Sequence, residues 1–174
     1  MKPLLAFLLL TTGFAFAQSP DLTLARDKNW LVIQGAHLPK GEIRINYLEA
    51  YCRPNSTDAD WHDTTIGHTT ELVSLSEDKK TMKLRCSVKD GVVVDHVITA
   101  TVDEVRFAIT AHNPTAQASN AYWAQPCIRL ADFTGYDSNG KDIDDYLPKC
   151  FVFLDGKLAR MSDIRPWNKK ARYI

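Results

Sequence analysis

The sequence predicts an all-β protein, an antiparallel β-sandwich, from three features of the chain. From Leu22 onward, short stretches alternate apolar and polar residues, and turn residues punctuate them at close intervals. A sustained 3.6-residue periodicity is missing throughout. The composition, 45% hydrophobic and 24% charged over 174 residues, is that of a folded chain, neither disordered nor collagen-like. Residues 18–174, which follow the N-terminal segment described below, are expected to form a single domain. A chain of that size buries roughly 70% of the surface its unfolded form exposes.

The elements follow in order. Trp30-Leu31-Val32-Ile33 is a short apolar run closed by Gly35, and in the next segment Ile43, Ile45 and Tyr47 alternate with Arg44 and Asn46. Both are expected strands. Arg53 to Thr65, with Pro54, Asn55 and Trp61, has the polarity of a long connection and is a candidate functional loop. Glu71 to Ser76, Thr81 to Val88, Val92 to Ala100 and Glu104 to His112 then read as an antiparallel meander, with Asp90-Gly91 and Val102-Asp103 at two of its reversals. Met82, Leu84, Cys86 and Val88 share one strand face, as do Val105, Phe107, Ile109 and Ala111, and both faces are assigned to the core. After a polar link, Ala121 to Ala131 is a further strand, expected to continue the same sheet. Its Pro126 cannot donate a ladder hydrogen bond, which predicts an edge or a bulge. Phe151 to Leu154, Asp155-Gly156 and Lys157 to Met161 make a last hairpin. About seven to nine such strands fit a two-layer sandwich.

Residues 1–17 carry Lys2, the apolar run Leu4 to Leu10 and Ala15-Phe16-Ala17, the pattern of a cleavable secretory signal peptide. The run is shorter than the roughly 20 residues that span a membrane, so no stable membrane insertion is expected after cleavage. The mature protein is expected to be secreted or periplasmic, beginning at Gln18. In that compartment the four cysteines, Cys52, Cys86, Cys127 and Cys150, allow three complete disulfide pairings or buried free thiols. Cys127 with Cys150 is the favoured pair, because one plausible strand return joins them.

With 21 basic and 21 acidic residues the formal charge is zero, which supplies no general attraction for nucleic acid. Asp137 to Asp145 is rich in oxygen ligands but lacks the spacing of a helix-flanked calcium loop, and an ordinary acidic turn is the preferred reading. No metal and no cofactor is expected. Of the five histidines, His96 shares a strand face with Val94 and Ile98 and is assigned to the interior, whereas His112 ends its strand and is a candidate ligand-binding residue. Trp123, Gln125 and Arg129 line one face of their strand. An indole plate, an amide and a guanidinium are the groups that bind sugars, by stacking on C–H faces and hydrogen bonding to hydroxyls. Trp123, Gln125, Arg129 and His112 together are the candidate glycan-binding patch; the alternative for Trp123 is a place in the core.

At His112-Asn113-Pro114-Thr115, Trp123-Ala124-Gln125-Pro126-Cys127, Tyr51-Cys52-Arg53-Pro54 and Asp145-Tyr146-Leu147-Pro148-Lys149 the chain resembles an uncharacterised family of secreted bacterial proteins, similar in turn to galactose-mutarotase-like supersandwiches. The resemblance implies a supersandwich-like fold and a carbohydrate or cell-envelope glycan as partner. It also implies that the chain is a C-terminally truncated member, since relatives continue past the position of Ile174. The function expected is a non-catalytic carbohydrate-recognition or cell-envelope module; the alternative is a carbohydrate-active enzyme of mutarotase, epimerase or polysaccharide-lyase type.

Overall fold

A computed structural model describes residues 21–55, 59–134 and 147–164. Residues 1–17, expected to be a signal peptide, the acidic stretch Asp137 to Asp145 and the C-terminal residues from Arg165 lie outside them. The protein is an all-β sandwich of antiparallel sheets. The first sheet begins with β1 (Thr23–Asp27), β2 (Trp30–Gln34) and the long β3 (Glu42–Cys52), paired in that order. Lys28, at φ 55°, turns the chain between β1 and β2. The last two residues of β3 also pair with the short β4 (Thr65–Ile66). The second sheet runs β5 (His68–Leu75), β6 (Thr81–Val88), β7 (Val93–Ala100), β8 (Val105–His112), each strand beside its sequence neighbour. The expected meander is therefore present. Its Asp90-Gly91 reversal has Gly91 at φ 102°, a backbone conformation that costs glycine little.

Two single-turn helices, α1 (Trp61–Thr64) and α2 (Ala131–Thr134), lie in the connections. The expected last hairpin is β10 (Phe151–Leu154) with β11 (Lys157–Arg160), turning at Asp155 and Gly156, both at positive φ. That pair of left-handed residues suits the twist of a two-residue hairpin.

One strand joins the other layer. Instead of extending the meander, β9 (Trp123–Arg129) crosses to the first sheet and pairs with β3. The link before it is pinned by Asp90, whose Oδ2 accepts from Ser119 Oγ at 2.7 Å and from the Asn120 amide at 2.9 Å. The Tyr122 amide then donates to Cys52 O at 2.9 Å and starts β9 alongside β3. These contacts span 29 residues or more in sequence, so alternation within β9 carries no information about which layer it joins.

The core lies between the sheets. Leu24, Leu31 and Ile45 from the first sheet meet Met82, Leu84 and Ile98 from the second. Each such side chain contributes about 1.5–3 kcal/mol when fully buried. Strands β6 and β7 alternate buried with more accessible residues along most of their length, as the pattern predicts. The core assignment of β8 is corrected: Phe107 is 39% and Ile109 56% exposed. These residues share a face with the buried side of β7, but β8 is the last strand of its sheet and, among the described residues, only Tyr47 is in ring contact with Phe107, at 5.5 Å.

All four cysteines are free thiols, which corrects the expected Cys127–Cys150 bond. The strand return assumed for that pair does not form, because β10 pairs with β11 in a separate two-stranded sheet while β9 pairs with β3. Mass mapping after alkylation in denaturant without reductant is expected to find four labelled thiols. Replacing Ile98, fully buried, by Ala is expected to destabilise the fold by about 2–5 kcal/mol, read as a lower midpoint in urea unfolding.

Candidate functional site

The outer face of the first sheet carries the sequence-predicted strip. On β9, Trp123 stands opposite Cys52, Gln125 opposite Ala50, Cys127 opposite Asn46 and Arg129 opposite Arg44. Trp30 of β2 stands opposite Asn46 on the other edge of β3, so three strands bring two indole rings, two guanidinium groups and two amides to one surface. Between Asn46 and Ala50 the pairing shifts register: three residues of β3 face Pro126 alone. The edge or bulge expected of Pro126 is both, since β9 pairs only with β3 among the described strands.

The bulge turns Glu49 onto the outer face. Its carboxylate accepts from Gln125 Nε2 at 2.7 Å and from Asn46 Nδ2 at 3.3 Å. The Cys127 thiol is raised above its ordinary pKa, first by burial and then by the nearby Glu49 charge, so it stays protonated at neutral pH. Gln125 Oε1 is buried with no hydrogen-bond partner among the described residues. Farther along the face, the guanidinium carbons of Arg44 and Arg129 lie 5.5 and 5.4 Å from the centre of the Trp30 ring. Arg44 is also bonded to Asp27 Oδ2 at 2.7 Å and lies 3.6 Å from Glu42 Oε1.

The structure thus brings Trp123, Gln125 and Arg129 together on one face and leaves His112 elsewhere. His112 ends β8 opposite Val93, in the second sheet, and its alternation places it on that sheet's outer face. Membership of a shared patch is therefore corrected for His112: β8 and β9 belong to different layers. Glu49, Trp30 and Arg44 escape the sequence reading. Pro126 is the one signal pointing toward Glu49, and it marks an irregularity without showing which residue the irregularity turns outward.

A second polar group is buried between the sheets. His96, 2% exposed, has Nδ1 2.8 Å from Tyr47 Oη and Nε2 3.3 Å from Tyr51 Oη. A neutral imidazole has one donor and one acceptor nitrogen, so one tyrosine hydroxyl donates while the other accepts. Burial lowers the His96 pKa, against a smaller opposing effect of Asp95, and burial raises that of both tyrosines. All three are thus neutral at pH 7. The Tyr51 ring meets His68 edge-on at 5.1 Å, and His68 Nε2 donates to Leu48 O at 3.2 Å. Arg26 donates to Tyr47 O at 2.8 Å. The interior position expected of His96 is the one observed, and the cluster satisfies polar groups inside the core.

Among the described residues, no grouping of His, Cys, Asp and Glu would hold a metal ion, and no helix is long and apolar enough to cross a membrane. No family model matches the chain, and no curated protein or solved structure matches it.

A histidine whose folded pKa lies below its unfolded value of about 6.5 favours the fold above that pH. Acidification then favours the unfolded state, which binds the extra proton. Urea midpoints are accordingly expected to fall between pH 7 and pH 5. Replacing Tyr47 by Phe leaves one His96 nitrogen unpaired and is expected to cost about 1–3 kcal/mol at pH 7 in the same assay.

Proposed function

We propose that the protein is an exported carbohydrate-recognition module of the cell envelope, binding glycan on the outer face of the first sheet. The observation that carries this reading is the row formed by Trp123, Gln125, Glu49, Arg129 and Trp30 across β9, β3 and β2. Indole rings stack on the C–H faces of sugars, while carboxylate, amide and guanidinium groups in fixed positions exchange hydrogen bonds with hydroxyls. The residues sit on paired strands, which hold such groups more rigidly than loops do. The Glu49–Gln125 bond at 2.7 Å fixes the orientation of the amide.

The face favours recognition over catalysis in one respect. An acid-base enzyme pairs a histidine with a carboxylate near its substrate, whereas here His96 is enclosed by two tyrosines and no histidine is hydrogen-bonded to a carboxylate among the described residues. Export of the chain rests on the N-terminal pattern of Lys2, Leu4 to Leu10 and Ala15-Phe16-Ala17.

Trp123 is partly exposed, and its replacement by Ala is expected to remove a stacking surface and weaken glycan binding by about 1 kcal/mol or more. Glycan-array binding and thermal melting of the same variant check this. A large loss of stability would return Trp123 to a packing role, and unchanged binding to a glycan held by the parent would remove it from the site.

A further inference from the structure

Arg44 and Arg129 stand directly opposite each other across β3 and β9. Like charges in that position repel and weaken strand pairing unless something compensates them. Arg44 is compensated: Asp27 lies 2.7 Å away and Glu42 3.6 Å away. Arg129 is exposed and makes no ion pair among the described residues; its guanidinium carbon lies 5.4 Å from the centre of the Trp30 ring. A cation over an indole gains roughly 0.5–1 kcal/mol at an exposed site, and the ring leaves the guanidinium N–H donors in its plane unused. The arrangement is a second arginine held beside an indole ring, with donor capacity to spare.

We propose that Arg129, positioned by Trp30 and assisted by Arg44, binds the anionic substituent of an acidic glycan, a sugar carboxylate or a sulfate ester. The proposal rests on the glycan-recognition reading and specifies its ligand class. A planar guanidinium matches two oxygens of such a group with two parallel N–H bonds. The bound anion also relieves the repulsion between the two arginines. Glu49 and Gln125, farther along the same strands, take hydroxyls of the neighbouring sugar, which places charged and neutral recognition side by side on one face.

The test uses the full mature chain and a panel of uronic-acid oligosaccharides, the same oligosaccharides after carboxyl reduction, and sulfated neutral oligosaccharides, measured by titration calorimetry at low salt. At least one acidic form is expected to bind roughly tenfold or more tighter than its neutral counterpart. The uronic and sulfated arms identify which anion is preferred. Arg129→Gln is expected to abolish that difference, read as the ratio of acidic to neutral affinity within the same variant, and Arg129→Lys to recover only part of it, since a point charge lacks the fork. Added salt is expected to weaken acidic binding selectively. Equal affinity for acidic and neutral forms, or an acidic preference that survives Arg129→Gln, overturns this proposal and leaves glycan recognition standing. Absence of binding to every oligosaccharide overturns both.

Discussion

Tyr47 and Tyr51 of β3 reach across the interior to the two nitrogens of His96 on β7, and much of the sandwich is organised around that clamp. A histidine at 2% exposure among Leu, Ile and Met side chains is tolerated only if both ring nitrogens are satisfied. Satisfying them requires two hydroxyls in the facing sheet, separated by the width of the ring. The clamp therefore sets the position of β3 over β7 along the strand direction as well as the spacing of the sheets. Apolar contacts tolerate small slips; two hydrogen bonds to one ring do not. Arg26 on the Tyr47 carbonyl and His68 against Tyr51 extend the same constraint to β1 and β5.

The irregularity in β3 is compatible with this demand. Tyr47 and Tyr51 both face inward, while between them the strand carries more residues than its partner β9 supplies. The surplus is absorbed opposite Pro126, where a ladder donor is missing in any case. Leu48 joins the core and Glu49 turns outward, so one local distortion serves both surfaces of the sheet. On the inside it accommodates the tyrosines of the histidine clamp. On the outside it places a carboxylate between Asn46 and Gln125, at the centre of the face proposed to bind glycan.

The two faces of the first sheet differ in their electrostatics. On the inner side, burial pushes His96, Tyr47 and Tyr51 toward their uncharged forms, and the Arg26 guanidinium is held by its hydrogen bond to the Tyr47 carbonyl. The outer face holds full charges: Asp27, Arg44, Glu49 and Arg129. Water screens these, so their pairing adds little to stability. Their consequence is for what can bind, because the flat strands fix their relative positions before any ligand arrives.

Much of the secondary structure was legible in the chain because strand alternation is a local property. Met82 to Val88 and Val94 to Ala100 bury every second residue, and His96 falls inside on the same count. Trp123, Gln125 and Arg129 share a face for that reason alone. Pro126 announced an edge and an irregularity by lacking an N–H. What alternation cannot encode is the partner. That β9 joins β3 instead of β8 depends on the contacts of Asp90 with Ser119 and Asn120, which span a long loop. That choice of layer separates His112 from Trp123 and sets Arg129 against Arg44 and Trp30. It also leaves Cys127 beside Glu49 as a free thiol, and leaves Phe107 and Ile109 at the margin of the core. The faces of each strand were determined by the sequence through the two-residue repeat of an extended backbone. Which faces meet was decided only by tertiary structure, because long-range hydrogen bonds and packing select among pairings that local pattern makes equally acceptable.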